Sequence, residues 1–229
     1  MEELMQEDTL KQFLPATESW FRKTFGEPTK IQREAWPAIA DGKHVLVSAP
    51  TGTGKTLSAF LVFIDQLGGL AERGELKEEL YVIYVSPLKS LAGDIRENLR
   101  KPLEGIGAEA PGESKAESRP GNPSIGQIQT AIRTGDTPQK ERQRMVKHPP
   151  HILIITPESL YLMLTSKSGR QVLKTAKAII LDEIHALIDT KRGAHLMLSV
   201  ARLDKLCGRR LQRIGLSATI EPLELAAAY

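Results

Sequence analysis

From Gly42 onward, six short apolar runs alternate with stretches long enough to be helices, and this rhythm leaves few folds open. The runs are residues 44–48, 80–86, 125–132, 151–156, 177–181 and 211–216. The helix candidates lie near 54–67, 88–100, 138–147, 157–165 and 193–206. The runs are nearly continuous rather than alternating, which is the signature of strands buried on both faces. Such strands separated by helices predict an α/β fold with a mainly parallel sheet and helices on both faces. At 229 residues the chain suits one large domain and can bury a core without cross-links. Cys207 is the single cysteine, so no internal disulfide can form, which fits a reducing compartment. No apolar run approaches the roughly 18 residues of a membrane span. The acidic start MEELMQEDTL lacks the basic opening of a secretory signal. A cytoplasmic location is expected. The net charge of +3 is mild, so any nucleic-acid contact must come from particular loops rather than a global field.

Residues 1–42 read as a helical segment preceding the α/β unit at 43–229. Both tryptophans and three of the five phenylalanines fall here: Phe13, Trp20, Phe21, Phe25 and Trp36. A short helix is predicted over 17–25, stopped by Gly26. A second begins near Thr29, with Ile31, Ala35, Trp36 and Ile39 on one face. Phe25 and Trp36 read as local core in preference to a base-stacking platform. Residues 105–124, GIGAEAPGESKAESRPGNPS, break the α/β rhythm and read as a loop insertion. The final EPLELAAAY opens a helix without a cap or breaker, which suggests a piece of a longer protein.

Residues 44–57, HVLVSAPTGTGKTL, carry the sharpest chemistry. A strand runs into a glycine turn, and Gly-Lys-Thr opens a helix. Gly52 and Gly54 let the backbone curl so that N–H groups point at phosphates. The helix N-terminus adds the positive end of its dipole. Lys55 reaches the β- and γ-phosphates, and the Thr56 hydroxyl can ligate Mg²⁺. Pro50, Thr51 and Thr53 complete the loop. Ala49 stands where the strict pattern begins with glycine, but the rest of the pattern is intact. The expected cofactors are ATP and Mg²⁺.

Residues 178–185, AIILDEIH, end a buried strand in two carboxylates. Ligands of open α/β sheets bind at the carboxyl ends of strands. There Asp182 would hold Mg²⁺, and Glu183 would orient or deprotonate the attacking water. Taken alone, the pair would also suit an ordinary helix start.

With these elements in hand, the chain resembles a superfamily 2 helicase. APTGTGKT at 49–56 is similar to motif I, DEIH at 182–185 to motif II and SAT at 217–219 to motif III. PTKIQ at 28–32 resembles the Q motif, and SPLKSLAGDIRENL at 86–99 resembles motif Ia. WFRKTFGEPTKIQREAW, RTGDTPQKERQRM and PPHILIITPESL further resemble the Lhr (large helicase-related) family, over nearly the whole chain from about residue 13. The resemblance implies a RecA-like P-loop domain, the first of two such lobes, with the second lobe absent from this sequence. It implies that Gln32 reads the adenine edge, although Thr29 and Gln32 also form a capping-box pattern. His185, Ser217 and Thr219 would couple hydrolysis to strand movement. Nucleic acid would be met by Ser86, Pro87, Leu88 and Lys89, by Arg133, Thr134, Gly135 and Asp136, and by Thr156, Pro157 and Glu158. These positions lie at strand ends and helix starts, where backbone N–H groups grip phosphates. The basic stretch at 140–148 reads as a solvated helix face that could assist. The implied partners are single-stranded DNA, with RNA or a DNA–RNA hybrid as alternatives, and a second lobe that supplies arginines to the ATP site. The implied activity is ATP-driven 3′ to 5′ translocation linked to DNA repair. An RNA helicase and an ATP-gated clamp without efficient turnover are the alternatives. A P-loop kinase would leave SAT, TPESL and the Q-motif-like start unexplained.

Overall fold

Among the described residues, six strands form one sheet in which every neighbouring pair runs parallel. The computed structural model describes residues 8–50, 52–87, 91–109 and 127–219. The strands are β1 (Val45–Ser48), β2 (Val82–Val85), β3 (Thr130–Arg133), β4 (Ile152–Ile155), β5 (Ala178–Leu181) and β6 (Gln212–Ser217). Their spatial order is β1-β6-β5-β2-β4-β3. The helices are α1 (Pro15–Phe25), α2 (Lys30–Ala40), α3 (Lys55–Glu72), α4 (Leu91–Glu109), α5 (Gln139–Lys147), α6 (Pro157–Thr165), α7 (Lys167–Leu173) and α8 (Lys191–Cys207).

The path of the chain explains the layers. It moves one way across the sheet from β1 through β2 to β3, then returns through β4 and β5 to β6. Right-handed crossovers put α3 and α4 on one face and the helices of the return path on the other. The two apolar clusters match this division: Phe60, Ile64, Leu99 and Ile106 share one, while Met145, Leu160, Val172 and Leu196 share the other. Period-two alternation serves both. In β2, Val82 and Tyr84 face the α3 side, and Ile83 and Val85 face the α8 side. Each such fully buried side chain contributes about 1.5–3 kcal/mol.

Residues 1–42 do not stand apart as a layer of their own where the structure describes them. Leu10, Phe13, Trp20, Phe21 and Trp36 belong to the same apolar cluster as Phe60 and Leu99. Trp36 is wholly buried and takes the edges of Phe13 and Phe21 at ring separations of 5.0 and 5.3 Å. Phe25 departs from the core reading. It is 53% exposed, because it ends α1 where Gly26, at φ +75, turns the chain away.

Other boundaries move for identifiable reasons. The helix predicted over 88–100 runs on to Glu109, through the first five residues read as loop insertion. Ile106 is buried there, a Cβ on Gly105 would come within 2.1 Å of Trp20 Nε1, and Glu109 meets Ser19 and Lys23. Contacts with α1 thus extend a helix whose glycines and Pro102 argue locally against it. Helix α7 escapes the sequence pattern. Ser166 ends α6 and also caps α7, accepting from Gly169 N–H at 3.1 Å. The remainder of the insertion, residues 110–124, and the closing EPLELAAAY lie outside the described residues.

Candidate active site and nucleic-acid edge

The phosphate loop joins the end of β1 to α3. Gly52 and Gly54 sit at φ +84 and +85, a region that side chains with a Cβ disfavour. Gly54 is needed twice over, since an added Cβ would lie 2.9 Å from Gln32 Nε2. Thr53 closes the turn by donating to the Pro50 carbonyl at 2.8 Å. Lys55 folds back, and its Nζ donates to the Ala49 carbonyl and, at 2.7 Å, to that of Pro50. Partial burial lowers the Lys55 pKa, opposed by the charges of Glu183 and Asp182. Thr51 lies outside the described residues.

Gln32 is buried against this loop. Its Oε1 accepts from Thr29 N–H at 2.9 Å, while Thr29 Oγ1 accepts from Gln32 N–H at 3.3 Å. The full capping box is therefore formed. The same side chain lies close against Gly54 of the phosphate loop.

The acidic pair ends β5, two strands from β1. Asp182 is buried. Its Oδ1 accepts from Glu183 N–H at 2.9 Å, and its Oδ2 accepts from the Tyr84 hydroxyl. Burial pushes its carboxyl above the usual range, against those two hydrogen bonds and the charge of Lys55. Glu183 adopts φ 51 and ψ 43, a left-handed backbone that a non-glycine residue seldom takes. His185 Nε2 stands 3.1 Å from Glu183 Oε2.

The strand end of β6 completes the chain of contacts. Ala218 N–H donates to His185 Nδ1 at 3.0 Å, and Ser217 Oγ lies 3.4 Å from the same nitrogen. A nitrogen that accepts a backbone N–H carries no proton, so Nε2 holds the proton it directs at Glu183. Ser217 is buried at the strand end, whereas Thr219 is exposed beyond it. Two adjacent strand ends are thus linked by contacts, Asp182 to His185 after β5 and Ser217 and Ala218 at β6, while Lys55 after β1 feels the charges of Glu183 and Asp182.

The other half of the same edge, at β2, β4 and β3, carries the residues read as nucleic-acid contacts. The structure brings together the ends of these strands, but it does not present all the side chains. Ser86, Pro87, Thr156 and Pro157 are buried. Leu88 and Lys89 lie outside the described residues. Thr156 caps α6, with its Oγ1 accepting from Ser159 N–H at 3.4 Å. Glu158 is paired with Arg192 through two hydrogen bonds of 2.6 and 3.1 Å. Arg133 and Thr134 are half-buried, and Gly135 and Asp136 are exposed. The 134–137 turn is stitched by Thr134 N–H to Thr137 Oγ1 at 2.8 Å and Asp136 N–H to Thr134 Oγ1 at 3.3 Å.

Two residues here escape the sequence pattern. Arg142 of the basic helix α5 reaches back and donates to the carbonyls of Thr137 and Gly135, both at 2.7 Å. It therefore shapes the turn instead of lining a solvated face. Tyr84 is hidden inside an apolar run, and a polar hydroxyl within a fully buried strand is the signal that could find it.

An all-parallel sheet with a phosphate loop after one strand and an acidic pair after another defines a RecA-like nucleotide-binding domain of the helicase kind. The DEAD/DEAH box helicase model matches residues 29–226, and the chain belongs to that family. It is 49% identical, over 94% of its length, to ATP-dependent helicase Lhr-Core of Methanothermobacter thermautotrophicus, of which it spans 24%. It is 46% identical, over 95% of its length, to the Lhr helicase/uracil glycosylase of Escherichia coli, of which it spans 14%. Helicase Lhr of Mycobacterium smegmatis, solved bound to ssDNA and AMP-PNP, matches with a TM-score of 0.85 at 47% identity, over 97% of this chain and 27% of that one. No helix among the described residues is long and apolar enough to cross a membrane.

Proposed function

We propose that this chain is the first motor lobe of an Lhr-type ATP-dependent helicase. It would bind Mg²⁺–ATP, hydrolyse it to ADP and phosphate when a second RecA-like lobe completes the site, and move 3′ to 5′ along single-stranded DNA in DNA repair. The observation that carries the reading is the chain of contacts from Asp182 through Glu183 and His185 to Ala218, beside a phosphate-loop lysine that feels the charges of both carboxylates. The 47% identity to a helicase solved with ssDNA and AMP-PNP supports the choice of ligands.

The donor set fits Mg²⁺. Thr56 and Asp182 offer hard oxygens, and no group of three or more His, Cys, Asp or Glu among the described residues forms a cage. Mg²⁺ typically takes one or two protein oxygens and completes its shell with phosphates and water. When bound, it would neutralise charge on the β- and γ-phosphates. Lys55 would exchange its two carbonyl partners for phosphate oxygens. Glu183, held by the His185 Nε2 proton, would orient the attacking water. Because His185 also accepts from the backbone after β6, a shift of Glu183 on hydrolysis would be felt at residues 217–219. Gln32 would meet the adenine while keeping α2 capped.

At the opposite half of the edge, the strand ends after β2, β3 and β4 would follow the phosphates of a single strand. Such a grip ignores base sequence and so permits stepping. The test is steady-state ATP hydrolysis by this chain and by a full-length Lhr helicase, each with and without single-stranded DNA or RNA. The proposal expects a nearly silent lobe and a strongly DNA-stimulated full-length protein. Strong stimulated turnover by the lobe alone would overturn the split site. Stimulation by RNA and not DNA would reassign the substrate.

A further inference from the structure

Tyr84 lies where the two halves of the edge meet, in β2 between β5 and β4. Its side chain is 0% exposed. The ring stacks on Phe60 with centroids 4.8 Å apart and planes at 20°. Phe60 sits one turn beyond Thr56 in α3, so the stack sets the first turn of that helix against β2. The hydroxyl donates to Asp182 Oδ2. A buried hydroxyl without a partner is costly, and phenylalanine would fill the same space without that demand. The partner that this hydroxyl has, Asp182, is a side chain assigned to the metal.

We propose that Tyr84 is a positioning residue for the divalent cation: its hydroxyl fixes the Asp182 carboxylate and its ring, stacked on Phe60, seats the helix turn that carries Thr56, so that both are set before Mg²⁺–ATP arrives. This rests on the Mg²⁺–ATP reading above. Asp182 is then held at both oxygens, by Glu183 N–H at 2.9 Å on Oδ1 and by Tyr84 on Oδ2. Each oxygen accepts more than one hydrogen bond, so both can still receive a metal-bound water. Partners that orient metal-binding carboxylates typically change metal affinity by about 10–100-fold when removed.

Tyr84→Phe removes one oxygen atom and keeps the ring and its stack. The measurement is binding of a fluorescent ADP to the 229-residue chain across a Mg²⁺ titration, with Mn²⁺ binding followed by electron paramagnetic resonance and a thermal melt beside it. The expected result is nucleotide affinity without metal within about twofold of wild type and a half-saturating Mg²⁺ concentration raised about 10-fold. Tyr84→Leu, which also loses the stack, should melt lower and show the same metal shift. A metal response that followed the melting temperature and not the hydroxyl would overturn the proposal. Asp182→Asn separates the two readings. If it abolishes the Mg²⁺ effect while Tyr84→Phe behaves as wild type, Tyr84 is packing only. If it leaves the Mg²⁺ effect intact, the metal reading itself falls, and the role of Tyr84 with it.

Discussion

The two halves of the sheet's carboxyl edge are built on opposite rules. At β1, β6 and β5 the functional side chains hold partners they can exchange. Lys55 rests on the carbonyls of Ala49 and Pro50, and His185 directs a proton at Glu183 over 3.1 Å. At β2, β4 and β3 the side chains are committed to the backbone or to each other. Thr134 and Thr137 stitch a turn, Thr156 caps a helix, Arg142 holds two carbonyls, and Glu158 is paired with Arg192. Chemistry needs groups that change partners during a cycle. On the proposed reading, a grip that ignores base sequence needs a fixed frame, and these polar side chains would build it.

The contrast can be broken most directly at Lys55. Lys55→Ala should reduce nucleotide affinity by about 100-fold or more, since charged hydrogen bonds contribute about 1.5–3 kcal/mol each. The melting temperature should barely move, because the partners of Lys55 in the free protein are loop carbonyls. Nucleotide titration and a thermal melt test both; a large drop in melting temperature would make Lys55 structural. Next in size, Glu183→Gln in a full-length Lhr helicase should lower turnover by about 10²–10⁴-fold, with nucleotide affinity held within a few-fold. Full turnover in that variant would remove Glu183 from water activation.

Arg142→Ala sharpens the comparison from the other side. Without the two bonds that Arg142 makes to its carbonyls, the 134–137 turn should lose shape, and single-strand affinity should fall by about 5–10-fold while nucleotide affinity stays constant. Since two hydrogen bonds to a charged group are at stake, this is a conservative figure. Loss of nucleotide affinity as well would show that the halves are not separable.

The smallest effect concerns pH. His151 is buried at the start of β4, and its Nδ1 accepts from Gln129 N–H at 2.8 Å. Burial lowers its pKa, against the pull of the Lys77 backbone carbonyl, Glu78 and Glu79. The unfolded chain therefore takes up the proton first on acidification. His151 has no effect on stability well above its ordinary value of 6.5, and stability is lost as pH falls from there to the depressed folded value. Urea unfolding at pH 7.5 and 5.5 should show the loss, and His151→Asn should flatten it. An unchanged slope would show that other groups carry the acid response.

What the sequence discloses follows from how local the cause is. The phosphate loop and the acidic pair are legible because phosphate chemistry requires those residue types in that order beside a strand. The central strands β2, β4 and β5 are legible because burial on both faces leaves continuous apolar runs, whereas β3, half-buried at every position, occupies only Thr130–Arg133 of the run read at 125–132. Tyr84 is not, since its partner lies 98 residues further along the chain and a tyrosine between apolar neighbours reads as core. The burial of Ser86 and Thr156 is equally hidden, because a hydroxyl's type does not say whether it caps a backbone or meets solvent. Helix α7 and the last turns of α4 depend on Gly169 and on the α1 surface, neither of which marks the local pattern.

The pairing of β1 with β6 carries a consequence for biogenesis. β1 stands at the sheet edge and is joined to β6, and Ser48 donates to a carbonyl 170 residues away. Parallel pairing over such a span comes late, because the loop-closure entropy must be met before the contact gives anything back. Strands β2 to β5 can associate while the chain is still emerging from the ribosome, whereas β1 must wait for β6 to be synthesised. The strand that leads into the phosphate loop is thus made early and seated only once β6 is in place.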